Sequence, residues 1–357
     1  MSESSSIGIA GAGLIGRMTA LELLQHGYQV TLFDRDVPDG TGSCGAVGAG
    51  MLAPACELET APPSISDLGA LALDRWPSIL EQLPDPVFFQ REGTVVVAHP
   101  HDTADLNRFV GQLRPHADDR LVWHDRAALR ELEPGLSDSF TGGWYVRDEG
   151  QVDNQQLMAA LSNHLHAHTT WRAGCEVRTC EDRTISWEAA GETGQETFDW
   201  VIDCRGLGAR GDLPLRGVRG EVIRLEAPDV TLKRPVRMMH PRYPLYIVPR
   251  TAPLFLIGAS SIESDDMSPI SVRSMMELLS AAYALHPAFG EARVISTAVQ
   301  CRPAFTDNHP RVSIDGHCIQ ANGLYRHGFL LAPAVSDLIH RLIRGADTTE
   351  YRPLLRC

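Results

Sequence analysis

The stretch from Ile7 to Asp36, IGIAGAGLIGRMTALELLQHGYQVTLFDRD, constrains the fold more than any other part of the chain. A short apolar strand runs into a glycine-rich turn, and a helix with apolar residues at helical spacing then ends near Gly27. A second apolar strand follows and ends at Asp34. Two strands joined by one helix form a right-handed β-α-β unit, so the chain is predicted to be of the α/β class.

The turn of this unit carries a GxGxxG pattern. Gly11 permits the tight turn, Gly13 lets the backbone approach a pyrophosphate, and Gly16 lets the helix pack closely on the strand. The helix also offers free N–H groups and the positive end of its dipole to phosphates. Asp34 can accept hydrogen bonds from ribose hydroxyls. A carboxylate at this place disfavours a 2′-phosphate, so NADP is not expected. The pattern predicts a dinucleotide site without choosing between NAD and FAD.

Composition and charge exclude several partners. The formal net charge of −13 argues against a nucleic-acid backbone as ligand. No apolar run approaches the ~20 residues needed to cross a bilayer, and the chain starts without the basic region of a signal peptide. The eight cysteines include no CxxC pair, and the histidine-rich stretch 163–168 is typical of a solvated helix face. We therefore expect a cytoplasmic protein with reduced thiols and no metal.

Two further segments have the character of ligand-facing backbone. GTGSCGAVGAGMLAP, residues 40–54, is rich in small residues, which let backbone amides approach a ligand closely. The buried strand WVIDC runs into a second glycine turn, RGLG. Strand-helix units at both ends and a β-rich middle predict two domains. A Rossmann-type cofactor domain is expected from 1–80, 142–213 and 301–357, and a mixed-sheet substrate domain from 81–141 and 214–300.

The chain resembles the FAD-dependent amino-acid oxidases of the D-amino-acid oxidase type, and within them the glycine-oxidase branch, which serves thiamine biosynthesis in many bacteria. The order and spacing of nine stretches carry this resemblance over nearly the whole chain. They are GAGLIG with Asp34, GAVGAGMLAP, GQVDNQQLMAAL, WVIDCRGLGA, VRGEV, LYIVPR, LFLIGAS, CRPAFTDNHPRV and YRHGFLLAPAVSDLI.

The resemblance implies FAD, held non-covalently, with the isoalloxazine ring between the two domains. It also implies that N–H groups at the start of the last helix stabilise negative charge on the reduced ring. The cofactor-binding residues that it implies are Gly11, Gly13, Leu14, Ile15, Gly16, Asp34, Arg35, Ser43, Cys44, Ala46, Gly48, Ala49, Gly50, Met51, Leu52, Val177, Cys204, Arg205, Gly206, Arg302, Arg326, His327, Gly328, Phe329 and Leu330.

For the substrate, the resemblance points to three side chains. Arg302 would fork onto the carboxylate of an amino acid, and the hydroxyl of Tyr246 would donate to the same carboxylate. Arg326 would lie close to the substrate or the flavin. The implied reaction is oxidation of the Cα–N bond of glycine, sarcosine or a D-amino acid. The α-hydrogen leaves as hydride to flavin N5, the imine hydrolyses, and oxygen is reduced to hydrogen peroxide.

Some alternatives stay open at this point. The electron acceptor could be a quinone rather than oxygen, the amine could be an N-substituted glycine, and a Rossmann protein that binds NAD would share the first motif. A flavin-dependent tRNA-modifying module is disfavoured by the net charge, and the chain could form a homo-oligomer.

Three positions depart from the family pattern around the substrate pocket, and one cysteine adds an alternative. Pro244 stands where a polar side chain is expected, AFTDNHP replaces a commoner glycine-containing turn, and His327 stands where relatives often have asparagine. The identity of the amine is therefore open. Cys301 occupies about the place where a related branch bonds covalently to flavin, although a small core residue is the favoured interpretation.

Overall fold

The computed structural model describes residues 5–239 and 245–356. Helices account for most of the outer layer in this part of the chain. They are α1 Leu14–Gln25, α2 Cys44–Val47, α3 Pro63–Leu80, α4 Thr103–Ala117, α5 Arg126–Leu132, α6 Asn154–His168, α7 Val272–Leu285 and α8 Gly328–Arg344.

The strands form two large sheets and two small ones. They are β1 Ser6–Ala10, β2 Gln29–Asp34, β3 Met51–Leu52, β4 Phe89–Gln90, β5 Thr94–Ala98, β6 Leu121–Asp125, β7 Gly142–Val146, β8 Gly150–Val152, β9 Thr170–Ala173, β10 Glu176–Glu181, β11 Thr184–Ala189, β12 Glu192–Thr197, β13 Trp200–Asp203, β14 Arg216–Glu226, β15 Val236–Met239, β16 Leu245–Pro249, β17 Leu254–Gly258, β18 Ile262–Glu263, β19 Arg293–Ala304, β20 Arg311–Asp315 and β21 Cys318–Asn322.

A six-stranded sheet has the order β20-β21-β13-β1-β2-β9. The pairs between β21, β13, β1, β2 and β9 are parallel, and β20 joins as an antiparallel edge. The central strands are almost entirely buried and apolar, as parallel strands covered on both faces require. Helices α1, α3, α6 and α8 contribute to the apolar core that includes β1 and β2. This sheet confirms the β-α-β unit and the α/β class predicted from the sequence.

The second large sheet has nine strands. Its main path is β18-β14-β17-β16-β15-β5-β7-β6, and β19 pairs along β14. An apolar cluster lies between this sheet and α7, whose N-terminus is capped by the Ser271 hydroxyl accepting from the Ser274 N–H. Two expected domain boundaries fall on its strands: β7 comes from the segment 142–213, and β19 crosses residue 301. Both strands belong to the nine-stranded sheet over their whole length.

The carboxyl ends of β1, β2 and β13 and residues of the nine-stranded sheet line one shared cavity. In an open parallel sheet this edge is where ligands bind, because the strand ends and helix N-termini converge there. Strands β10, β11 and β12 form a separate three-stranded antiparallel sheet, and β13 joins the six-stranded sheet. None of the described helices has the length and apolar character needed to cross a membrane.

We predict that Gly16→Ala destabilises the protein. A Cβ at Gly16 would lie 1.9 Å from the carbonyl oxygen of Gly11, so the β1–α1 turn would have to shift. Crowding of this kind costs about 1–3 kcal/mol. The measurement is urea denaturation, with Gly111→Ala as the matched control in helix α4. Nothing lies within 4 Å of a Cβ at Gly111, so that variant should gain about 0.5–1 kcal/mol. Equal stability of both variants would contradict the close packing.

Candidate active site

A cavity of about 880 Å³ lies between the two large sheets. A volume of this size suits a cofactor together with a small substrate. Most of the residues predicted to bind cofactor or substrate line it. These are Gly11, Gly13, Leu14, Ile15, Asp34, Arg35, Ser43, Cys44, Gly48, Ala49, Gly50, Met51, Val177, Cys204, Arg205, Gly206, Tyr246, Arg302, Arg326, Gly328, Phe329 and Leu330.

Four predicted residues do not line the cavity: Gly16, Ala46, Leu52 and His327. Gly16 serves helix–strand packing, as its place in the motif requires. The Ala46 carbonyl accepts from the Asn154 side chain at 2.8 Å, which anchors the loop to helix α6. Leu52 is fully buried in the apolar core. His327 is buried and turns toward a carboxylate instead. These four hold the site's walls in place rather than facing the cavity.

One end of the cavity is formed by the β1–α1 turn. Gly11 has φ +93°, and a Cβ there would lie 2.6 Å from the carbonyl oxygen of Cys204. A Cβ at Gly13 would have only the Ser43 side chain within 4 Å, at 3.9 Å, so the backbone of Gly13 is open to the cavity. Asp34 is fixed because its carboxylate accepts from the N–H groups of Ala12 and, at 2.9 Å, Asp36. The turn thus presents backbone N–H groups and one fixed carboxylate.

The second glycine turn lies beside this end and is held by Arg205. Its guanidinium donates to the carboxylates of Asp203 and Asp212 at 2.7 and 2.6 Å, and to the carbonyl of Val177 at 3.3 Å. Arg205 lines the cavity, but these contacts occupy most of its donors. Its evident structural role is therefore to position the 203–212 segment against β10.

Helices α1 and α8 both begin at the cavity without a side-chain cap. The N-cap residues are Gly13 and His327, and neither side chain accepts a hydrogen bond from the first turn. The first N–H groups of a helix have no partner within the helix, and its dipole makes that end positive. The loop 43–52 packs between them, since a Cβ at Gly48 would lie 2.8 Å from the Phe329 ring. The cavity therefore has an anion-favouring helix end at two places.

The carboxylate of Glu57, which the sequence prediction did not include, balances the positive charge of Arg326. Glu57 Oε2 lies 3.1 Å from Arg326 Nε and 3.1 Å from His327 Nδ1. Burial by itself would raise the pKa of Glu57, but Arg326 and His327 outweigh it and lower that pKa to about 2. Glu57 is therefore ionised, and it ties the short 3₁₀ turn Cys56–Glu59 to the start of helix α8.

The same turn compensates a second arginine that the sequence prediction missed. Arg237 on β15 is 1 % exposed and forms an ion pair with Glu59. It also donates to the hydroxyl oxygen of Tyr246 at 3.3 Å, and its guanidinium lies 4.6 Å from the centroid of the Phe109 ring. Burial raises the pKa of Tyr246 well above its usual value, although Arg237 opposes this. Tyr246 therefore keeps its proton and can donate it in a hydrogen bond.

Arg302 differs from Arg237 and Arg326 in its hydrogen-bond partners. Both of its terminal nitrogens donate to the carbonyl oxygen of Ser260 at 3.2 Å. Within residues 5–239 and 245–356, no carboxylate lies within ion-pair distance of it. Burial lowers the pKa of Arg302 from its usual value, the direction expected of a cation without a carboxylate partner. The guanidinium is thus a cavity-lining cation that is available to an anionic ligand.

Cys301 lines the cavity next to Arg302, and its thiol faces backbone carbonyl groups. The sulfur lies 3.5 Å from the carbonyl oxygen of Ser264 and 3.7 Å from that of Asp266. Burial raises the pKa of this thiol, so it is held in the unreactive protonated form. Pro244, singled out near the substrate pocket from the sequence, lies outside the described residues.

The missed residues had weak signals in the sequence. Glu57 and Glu59 follow the small-residue loop within ACELE, where two carboxylates interrupt an otherwise apolar run. Arg237 sits in the strand VRMM, where an arginine between apolar neighbours is unusual in a buried strand. A charged residue in such a setting indicates a buried ion pair, but its partner cannot be identified from spacing alone.

We predict that Glu57→Gln lowers the free energy of unfolding by about 2–3 kcal/mol at neutral pH, because Arg326 loses its buried counter-charge. The pKa of Glu57 is lowered from 4.5 to about 2 in the folded protein. Its stabilisation is therefore complete above the unfolded pKa and is lost as pH falls through the folded one. Urea denaturation over a pH series should show the two proteins converging below about pH 4.5.

The matched control is Glu263→Gln, which removes an exposed partner of Arg216 at 2.9 Å. An exposed pair of this kind contributes about 1 kcal/mol or less. If Glu57→Gln lowers the free energy of unfolding by no more than the control does, the buried ion pair is contradicted.

Comparisons with known proteins agree with this geometry. Residues 6–342 match the model of the FAD-dependent oxidoreductase family. The chain is 44% identical over 346 residues to a Rhizobium etli protein named as a thiamine biosynthesis oxidoreductase, ThiO, covering 96% of this chain and 98% of that one. It is 28% identical to the glycine oxidase of Geobacillus kaustophilus, with 98% and 95% of the two chains covered.

Solved structures of other proteins have the same fold as this chain. The crystal structure of glycine oxidase from Geobacillus kaustophilus superposes with a TM-score of 0.83 at 26% identity, over 97% of this chain and 96% of that one. Iminodiacetate oxidase from Chelativorans has a TM-score of 0.80 at 21% identity over 96% of this chain, which shows the fold alone. These matches confirm the predicted resemblance, fold and cofactor. The chain belongs to the FAD-dependent oxidoreductase family and is an FAD-dependent enzyme of the glycine oxidase and ThiO type.

Proposed function

We propose that this enzyme oxidises the Cα–N bond of a small amino acid or N-substituted glycine whose carboxylate binds Arg302. One observation carries the proposal. Arg302 lines the cavity with both terminal nitrogens on a carbonyl oxygen and no carboxylate partner among the described residues. A guanidinium in this state offers two parallel hydrogen bonds to a substrate carboxylate, which fixes the substrate's orientation.

The residues that line the cavity fit FAD. Gly13 leaves room for close approach of a pyrophosphate, and Asp34 would offer a fixed carboxylate to a ribose. The uncapped start of helix α8 at Gly328 would offer N–H groups to the flavin ring. The Cys301 thiol is directed at backbone carbonyls, which supports non-covalent binding. When bound, FAD supplies the two-electron acceptor of the reaction.

Tyr246 is proposed as the second anchor of the substrate carboxylate. Its hydroxyl oxygen accepts from Arg237 at 3.3 Å, and its own O–H would be the donor to the substrate carboxylate. Because the pKa of Tyr246 is raised, the hydroxyl stays protonated over the range in which amines deprotonate. Arg302 and Tyr246 would together orient the Cα–H bond, so that positioning supplies much of the catalysis.

The charge balance of the pocket favours a substrate with one carboxylate. Arg326 and Arg237 are cations, but Glu57 and Glu59 already offset them. One cation, Arg302, is left without a carboxylate partner among these three, and it can neutralise one substrate carboxylate. A second carboxylate would meet Glu57 and Glu59 near the same cavity wall, where like charges repel. We therefore rank glycine, sarcosine and small D-amino acids above dicarboxylic amines.

The proton balance follows from the same groups. Glu57 is a poor base because Arg326 and His327 keep its pKa at about 2. Tyr246 is a poor acid because burial raises its pKa. Neither group suits transfer of the amine proton near neutral pH. The substrate is therefore proposed to enter with a neutral amine, and the protein provides orientation rather than a general base.

The cellular setting follows from the relatives and the thiols. The Rhizobium etli relative is named for thiamine biosynthesis, and we propose that the oxidised product serves that pathway here as well. The seven described cysteines are all unpaired, which supports a reducing compartment such as the cytoplasm. Oxygen is the proposed electron acceptor, with hydrogen peroxide as its product.

We predict that the purified FAD-bound protein consumes oxygen and forms peroxide with glycine, sarcosine or D-alanine. The measurement is an oxygen electrode with coupled peroxide detection, and D-proline and iminodiacetate complete the panel. Iminodiacetate should be the poorest of the five because of its second carboxylate. Turnover with an artificial dye but none with oxygen would identify a dehydrogenase. Preference for iminodiacetate would contradict the proposed charge balance.

We predict that Arg302→Ala raises KM for the best substrate by about 30-fold or more, because the substrate carboxylate loses a charged, bidentate partner. Arg302→Lys should recover part of the loss, since it restores charge without the fork. The control is Arg210→Ala, a cavity-lining arginine already paired with Asp265 at 2.7 Å. Flavin absorbance checks that each variant retains FAD. Unchanged kinetics in Arg302→Ala would remove it from the substrate site.

A further inference from the structure

A second cavity of about 410 Å³ is lined by the C-terminal halves of helices α1 and α8, away from the helix starts at the cofactor site. Glu22 of α1 and His26, which directly follows that helix, meet His340 of α8 there. One ligand atom of each side chain lies within 4.8 Å of the other two. A carboxylate oxygen and two imidazole nitrogens at such separations match the ligand set of a divalent transition metal.

His26 has the hydrogen bonding of a metal-ligating histidine. Its Nδ1 lies 2.9 Å from the backbone carbonyl oxygen of Glu22. In the neutral ring this nitrogen carries the proton and donates it to the carbonyl. The lone pair is then on Nε2, and metal-bound histidines are commonly oriented by such a bond from the other nitrogen.

His340 supplies an independent observation. It is 6 % exposed, and its Nε2 has no hydrogen-bond partner in the part of the chain that the structure describes. A buried polar nitrogen without a partner costs stability unless a ligand satisfies it. When the ring proton is on Nδ1, this unpartnered Nε2 has a lone pair to offer to an ion.

Glu22 divides its two oxygens between different partners. Oε2 faces Arg75 at 3.4 Å, while Oε1 lies 3.9 Å from Nδ1 of His26 and 3.9 Å from Nδ1 of His340. Neither distance to a histidine is a hydrogen bond. Oε1 thus lies beside both rings without a hydrogen bond to either, and an ion held at the Nε2 atoms would take this oxygen as its carboxylate ligand.

We infer that Glu22, His26 and His340 bind a Zn²⁺ ion, or another divalent metal with similar ligand preferences, with water as the fourth ligand. Asp337 is close by but is not a ligand, because Arg75, Arg341 and Tyr351 already occupy its oxygens. The ion would join the C-terminal end of α1 to α8, and both helices start at the cofactor cavity. Its role is therefore structural, and it takes no part in the oxidation.

The test uses the untagged protein with FAD bound, after removal of metal by a chelator and dialysis. Zn²⁺ is titrated in competition with a chromophoric chelator, and one tight equivalent is expected. X-ray absorption at the zinc edge should show nitrogen and oxygen ligands at about 2.0–2.1 Å with imidazole scattering and no sulfur. Zinc should also raise the Tm by a few degrees. Absence of a tight equivalent overturns the site.

Variants identify the ligands. His26→Ala and His340→Gln should each weaken zinc binding by about 100-fold or more and abolish the rise in Tm. His26 is partly exposed, so its variant should fold even if the His340 variant does not. Sulfur ligands in the absorption spectrum, or tight binding unchanged in His26→Ala, would also overturn the assignment.

The chain offers a matched control on helix α6. His164 and His168 have the same spacing as Glu22 and His26, and His168 Nδ1 lies 2.7 Å from the His164 carbonyl oxygen. Their rings stack at 4.4 Å. Among the described residues, however, only the Glu22 cluster has a third metal-ligating side chain within 4.8 Å. Replacing both His164 and His168 by alanine should leave the tight equivalent in place, and its loss would overturn the inference.

Discussion

The arrangement of the active site depends on compensating buried arginines at the boundary of the two sheets. Arg237 and Arg326 come from distant parts of the chain, and the single turn Cys56–Glu59 supplies a carboxylate to each. An uncompensated buried cation would cost several kcal/mol. The turn therefore fixes both arginines, and among these three arginines Arg302 is the one without a carboxylate partner in the described residues.

A fully buried carboxylic acid holds this turn in place. Glu149 accepts from the Cys56 N–H at 2.8 Å and from its thiol at 3.2 Å. Burial raises the pKa of Glu149 to about 7. Strand β8, which follows Glu149, also pairs with the end of the small-residue loop at Met51. Loop, turn and arginines thus form one supported unit at the wall of the cavity.

Local sequence predicted those parts of the structure that are encoded locally. Gly11 needs its positive φ because of the turn it makes, and GxGxxG followed by Asp34 predicted a turn that the structure places in the wall of the cavity. The pairing of Glu57 with Arg326 could not be predicted, because it joins residues at opposite ends of the chain. The resemblance placed His327 at the flavin, whereas in the structure its Nδ1 lies 3.1 Å from Glu57 Oε2 and the residue does not line the cavity. The resemblance pointed to Arg302 and Tyr246, which line the cavity, whereas periodicity alone left both as strand residues.

Helix α8 brings these observations together. Its first turn lies in the cofactor cavity, and Arg326 just before it is fixed by Glu57. Because Glu57 occupies that guanidinium, Arg326 is better suited to positioning the helix start than to binding a second carboxylate. At its other half, His340 meets Glu22 of the helix that begins at the pyrophosphate turn. The two helices that begin at the proposed cofactor cavity are therefore packed together at a polar cluster outside that cavity, so the geometry of the cavity depends on residues that do not line it.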